Sequence, residues 1–213
     1  MTSWATRYNF GGYNMNLPNK LSILRVLMVP LFVAVLVIAP IPETAGNLLD
    51  IIVRITAAAL FVLTALTDML DGMIARKYNM ITDFGKFIDP LADKFMVFGA
   101  MLAILYRFDY LRPIFIWAAL IVIFRELAIT SMRLIVSSNA GVVVAAKWLG
   151  KVKTVTQVIC ILTILLEPVI LKGTPIADMY ILSYVTIIAM MVMTLWSGYD
   201  YMKSYWKVID PTK

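Results

Sequence analysis

Six stretches of mainly apolar residues recur along this chain, each close to the roughly 20 residues needed to cross a hydrocarbon core about 30 Å thick. They run approximately from Leu21 to Ala39, Leu48 to Thr67, Phe84 to Tyr106, Pro113 to Val136, Leu149 to Leu171 and Ile176 to Trp196. Turn signals separate them: Pro40, Pro42 and Gly46; Asn79 before Thr82-Asp83; Arg107-Phe108-Asp109; Asn139 and Gly141; Gly173 and Pro175. The connections are too short for a second domain, so consecutive spans should run antiparallel in a single bundle. With 62% hydrophobic and 15% charged residues, the chain is too apolar for an ordinary soluble domain. The expectation is an all-α integral membrane protein of six transmembrane helices, without internal repeats.

Six spans leave both termini on one side, and positive charge flanking spans is retained in the cytoplasm. If the termini are cytoplasmic, all basic residues fall on that side except Arg54, Arg107, Arg112 and Lys172. The net charge of +6 therefore points to anionic lipid headgroups as partners, and nucleic acid is excluded. Cys160, the single cysteine, lies inside the fifth span and serves as small apolar packing. The first apolar segment ends at Ala39-Pro40 without a small-residue cleavage pattern, so it is expected to stay as a span. Residues 1–15 read as an extension, interfacial or added, and residues 16–213 as the membrane domain. The aromatic and basic tail from Tyr199 reads as an interfacial anchor.

Charge is scarce, yet five of the thirteen acidic residues fall between Asp68 and Asp93. Asp68 and Asp71 are three apart and Asp89 and Asp93 four apart, so on helices each pair shares one face. A single carboxylate at a membrane boundary is often only a solvated helix end. Four together are costly near hydrocarbon, about 2.5–3.5 kcal/mol each on insertion scales, and such acids usually face a functional cavity. Only twelve residues separate Lys94 from Arg107, so the third span must recruit its polar first turns, which places Asp93 inside the protein. Histidine is absent, so any general base is another residue, and ligation by carboxylates alone favours magnesium, manganese or calcium. Gly72, Ala75 and Gly85 keep the backbone near the acids open to a bulky group. Two antiparallel helices carrying these stripes could clamp a diphosphate between two shared metal ions. Asp83 reads instead as a helix cap, and Pro90 as a simple kink in the third span.

The pattern Asp68-x2-Asp71-Gly72-x2-Ala75-Arg76-x8-Gly85-x3-Asp89-x3-Asp93 resembles the signature of the CDP-alcohol phosphotransferase family, matching at all eight specified positions. The resemblance covers the chain from about Asn16 to Lys203. It implies six transmembrane helices, a homodimer, and a cytoplasm-facing cavity that uses two divalent ions, Mg2+ or Mn2+. It further implies Asp68, Asp71 and Asp89 as metal ligands, with Asp93 both at the metal site and acting as catalytic base. Gly72, Ala75 and Gly85 would surround the cytidine nucleotide of CDP-diacylglycerol, held also by Asp68 and Asp71, with Arg76 near its phosphates.

The segments Phe124–Arg133, Gly150–Thr154 and Asn16–Leu21 resemble those of bacterial family members whose acceptor is sn-glycerol 3-phosphate. An acceptor carrying its own phosphate needs cations, and arginine offers phosphate a bidentate fork. Arg125, Arg133, Lys151 and Lys153 are the candidates. Arg125, about half-way down its span, requires either an acidic partner such as Glu126 or a ligand. The expected reaction is transfer of a phosphatidyl group from CDP-diacylglycerol to sn-glycerol 3-phosphate with release of CMP, in the inner membrane of a bacterium. The alternatives are the same chemistry with inositol phosphate, serine or phosphatidylglycerol as acceptor, a metal-dependent membrane prenyltransferase, and a divalent-cation or proton-coupled transporter.

Overall fold

The computed structural model describes residues 17–40, 47–77, 82–140, 148–174 and 179–206. Within the helices, the side chains of residues 17, 18, 69, 71, 72, 74–77, 83, 86 and 137–140 lie outside the description, as does the expected extension at 1–15. The described chain is helical throughout: α1 Leu17–Ile38, α2 Leu48–Lys77, α3 Asp83–Arg107, α4 Arg112–Ala140, α5 Trp148–Ile170 and α6 Ile181–Tyr205. Five of these are long and apolar enough to cross a membrane. The exception is α3, whose first turns carry Asp83, Lys86, Asp89, Asp93 and Lys94.

The element packing forms a closed circuit, in which α1 lies against α2 and α3, α6 against α4 and α5, and the two groups meet through α2 with α5 and α3 with α4. Not every pair of consecutive helices is in close contact. The extensive contacts do not include α2 with α3 or α4 with α5, so α1 bridges the two helices that carry the acids. Close approach of α1 and α3 depends on Gly99, where a Cβ would lie 2.7 Å from Val29 Cγ1. The core is aliphatic and aromatic: Phe32 and Phe61 rings sit 5.8 Å apart between α1 and α2, and Met101, Ile104, Phe115, Ile161, Ile164 and Ile187 are fully buried. Cys160 packs there with no exposed surface. A belt of exposed apolar side chains, including Leu31, Leu63, Leu102, Leu120 and Ile188, covers the outside. Such a surface suits lipid rather than water.

The end of the bundle away from the acids is held by buried polar groups. Asp50 accepts from Arg54 Nε at 2.6 Å and from Arg107 Nη2 at 3.1 Å, and all three side chains are nearly inaccessible. Arg54 also donates to the Ile164 carbonyl at 3.2 Å, and its guanidinium carbon lies 4.4 Å from the Phe108 ring centroid. Arg107 Nη1 donates to the carbonyls of Leu36 and Ala39, both at 3.1 Å, satisfying acceptors left over at the end of α1. Arg54 and Arg107, which the charge pattern assigns to flanking positions, are thus internal clamps. The final helix also departs from expectation. It begins at Ile181 rather than Ile176, after Tyr180 in a left-handed conformation (φ 48°), and runs past Trp196 to Tyr205. Its start is set from outside by Glu167 of α5, which accepts from the amides of Leu182 at 2.9 Å and Ser183 at 2.7 Å. A distant carboxylate as cap leaves no local sequence signal.

Candidate active site

At the end where α2 finishes and α3 begins, one face of α1 supplies partners for the acids. Arg25, wholly buried, places Nη1 2.5 Å from Oδ1 of half-exposed Asp68 on α2. Ser22, buried, donates from Oγ to Asp89 Oδ1 on α3 at 2.6 Å. Asn19 accepts from Thr82 Oγ1 at 2.9 Å, and the same Thr82 oxygen accepts from the Gly85 amide at 3.0 Å. Residues 19, 22 and 25 share one helical face by their spacing of three.

Thr82, not Asp83, is the N-cap of α3: its extended backbone (φ −112°, ψ 156°) carries Oγ1 to the amide three residues on. Asp83 becomes the first helical residue. The space that Gly85 leaves is used by the protein itself, since a Cβ there would lie 3.2 Å from both Asn19 Oδ1 and Thr82 Oγ1. Asp71, Gly72, Ala75 and Arg76 lie on the last turns of α2, with their side chains outside the described residues. Pro90 sits inside α3, which continues unbroken through it to Arg107.

Asp93 is half-buried one turn beyond Asp89, within electrostatic range of Asp68 on α2 and of Glu126 and Lys153. It lines a cavity of about 330 Å³ between α3, α4 and α5. The walls of that cavity include Arg125, Arg133, Lys151 and Lys153, so one space collects the four basic candidates and the candidate base. Lys153 is buried and paired with Glu126 Oε1. Arg125 donates to the same oxygen at 2.9 Å and to Ser197 Oγ of α6 at 2.7 Å. The acidic partner expected for a mid-span arginine is therefore present, and Arg125 also stands on the cavity wall. Arg133 donates from Nε to Tyr201 Oη at 3.1 Å, its guanidinium 5.5 Å from that ring's centroid. Lys151 is exposed at the mouth.

A second, apolar groove of about 460 Å³ runs between α4 and α6, lined by Trp117, Leu120, Phe124, Leu195, Tyr199 and Met202. Arg125 and Ile129 line both spaces, which makes the groove and the polar cavity neighbours across one turn of α4. Gly198 allows this: a Cβ on it would stand 3.3 Å from Arg125 Cγ.

As donors, the carboxylates of Asp68, Asp89 and Asp93 suit a hard divalent cation, since all are oxygen ligands. Among the described residues, no three acids stand close enough to hold an ion, and Asp71, which would complete the set, has its side chain outside the description. Asp68 and Asp89 are meanwhile held by Arg25 and Ser22. The sequence pattern did not single out those two residues. Arg25 did carry a signal, being a charge set within an otherwise apolar span. Ser22 carries none beyond residue type.

The sequence profile of the CDP-alcohol phosphatidyltransferase family matches residues 15–197. The chain belongs to that family. It is 38% identical over 199 residues to the CDP-diacylglycerol–glycerol-3-phosphate 3-phosphatidyltransferase of Bacillus subtilis, covering 91% of this chain and 97% of that one. The protein of the same name from Sodalis glossinidius is 33% identical, with 88% and 93% covered, and that from Rickettsia felis 32%, with 89% and 94% covered. Among solved structures, the apo crystal structure of Mycobacterium tuberculosis phosphatidylinositol phosphate synthase shares the fold, with a TM-score of 0.61 at 18% identity over 89% of this chain and 88% of that chain. Together with its apolar helices, the similarity to the bacterial phosphatidyltransferases makes the chain a multi-pass membrane protein.

Proposed function

We propose that this chain transfers the phosphatidyl group of CDP-diacylglycerol to sn-glycerol 3-phosphate, forming phosphatidylglycerophosphate and CMP. The observation that carries this reading is the cavity in which Asp93 faces Arg125, Arg133, Lys151 and Lys153. A space with one acid that can take a proton and several cations suits an acceptor that has a hydroxyl at one end and a phosphate at the other. The names of the similar proteins from Bacillus subtilis, Sodalis glossinidius and Rickettsia felis support the same acceptor.

In the proposed reaction, Asp93 takes the proton from the acceptor's primary hydroxyl. That oxygen attacks the phosphorus bearing the diacylglycerol, a new P–O bond forms, and the P–O bond to CMP breaks. The basic residues hold the acceptor's phosphate, with Arg125 and Lys153 fixed in place by Glu126. Two divalent ions, Mg2+ or Mn2+, held by Asp68, Asp71, Asp89 and Asp93, would when bound neutralise charge developing on the departing CMP. Gly72, Ala75 and Arg76 complete the nucleotide side. The lipid donor's chains stay in the bilayer, and the α4–α6 groove, which meets the polar cavity at Arg125, offers them a lateral path. All six helices, α3 included, span the inner membrane of a bacterium, with both termini and the active site facing the cytoplasm, and the enzyme works as a homodimer. At 25 residues α3 is about 37 Å long at 1.5 Å per residue, enough to cross.

The test is an assay of purified protein in detergent with CDP-diacylglycerol, magnesium or manganese, and a panel of alcohols. CMP release should occur chiefly with sn-glycerol 3-phosphate. Preference for inositol phosphate, serine or phosphatidylglycerol would overturn the acceptor assignment.

A further inference from the structure

The cavity wall includes an acid whose place there is not explained by binding a phosphate. Glu126 sits among cations that hold an anion, where a carboxylate weakens their hold by charge. Its pairing is lopsided: Arg125 Nη1 and Lys153 Nζ both donate to Oε1. An ionised carboxylate offers about four acceptor positions over two oxygens, so this leaves Oε2 with capacity on a side chain that lines the cavity and is 12% exposed. Glu126 also stands on the same wall as the candidate base and the cations. It is within electrostatic range of Asp93, and Arg133 lies seven residues further along α4, about 10 Å away along the helix.

We infer that Glu126 determines acceptor specificity: Oε2 accepts a hydrogen bond from the hydroxyl that lies between the reacting hydroxyl and the phosphate. The cavity then selects a phosphate monoester bearing a vicinal diol over one bearing a lone alcohol. This rests on the proposed acceptor, sn-glycerol 3-phosphate, whose middle hydroxyl is the group read.

The experiment compares sn-glycerol 3-phosphate with 3-hydroxypropyl phosphate, which keeps the phosphate and the primary hydroxyl and lacks the middle one. In the unmodified enzyme, kcat/KM should favour the glycerol compound by about 10-fold or more, as for a hydrogen bond to a charged acceptor. In Glu126→Gln that ratio should collapse to within about 3-fold, because the neutral amide is a weaker acceptor. A residue that only holds Arg125 and Lys153 in place would lower both substrates together, and an unchanged ratio overturns the inference. Should the variant not fold, equal use of the two compounds by the unmodified enzyme overturns it as well. Failure to release CMP with sn-glycerol 3-phosphate at all would instead bring down the proposed acceptor, and this inference with it. A preserved preference for glycerol phosphate over inositol phosphate with no discrimination between the two test compounds would leave that reading standing and remove Glu126 alone.

Discussion

Asp93 is half-buried, lines the cavity, and lies close to both acids and cations, whereas Asp89 one turn earlier is exposed and tied to Ser22. The difference in surroundings suits different tasks for two carboxylates on one helical face. Asparagine in place of Asp93 keeps the size and can still hydrogen-bond, but it cannot accept a proton. Turnover of Asp93→Asn should fall by about 10²–10⁴-fold, the usual contribution of a positioned base, with little change in the melting temperature in detergent. Turnover close to that of the unmodified protein would remove Asp93 as base. Arg25 bears on the site by holding one of its acids. A fully buried arginine needs a counter-charge, and Asp68 supplies one at 2.5 Å, so α1 holds an acid of α2 in position before any ligand arrives.

At the scale of elements, helix ends decide where the functional side chains stand. Thr82 starts α3 and thereby sets the register of Gly85, Asp89 and Asp93 on one face. Glu167 starts α6, which fixes the rotation of Ser197 and Tyr201 against Arg125 and Arg133. Removing a buried acceptor from two amides leaves them unpaired at a cost of about 1–3 kcal/mol each. Glu167→Ala should therefore lower the detergent melting temperature by several degrees and also weaken acceptor binding, seen as a raised KM for sn-glycerol 3-phosphate. A lowered melting temperature with unchanged KM would show that α6 does not position the cavity's cations. At the same end, Asp50 between Arg54 and Arg107 joins α2 and α3 and, through backbone carbonyls, α1 and α5.

At the scale of the whole molecule, the candidate site and the buried Asp50–Arg54–Arg107 clamp lie at opposite ends of one bundle. In the proposed reaction the diphosphate would lie between the acid-bearing helices α2 and α3, each packed on α1, and divalent metal would draw their carboxylates together. Chelation with EDTA should abolish CMP release, and added magnesium or manganese should restore it. Activity that survives exhaustive chelation would exclude the two-metal reading.

The six apolar stretches and their turn signals determined the all-helical, membrane-embedded class, because length and hydropathy are local properties that a sequence displays directly. The spacing of Asp68, Asp71, Asp89 and Asp93 was equally legible, since helical periodicity places such residues on one face before any packing is known. The basic candidates were legible as residue types in the right segments, but their meeting with Asp93 in one cavity was not. That depended on α3, α4 and α5 converging, and on Gly198 allowing Arg125 to pass beside α6. Arg25 beneath Asp68, Ser22 on Asp89 and the cap from Glu167 each join residues far apart in the chain, for which sequence carries no spacing rule. The sequence alone determined the class of fold and the kind of chemistry its acids can do. The tertiary structure decided which cations share their space, because that is a matter of packing between helices rather than of pattern along them.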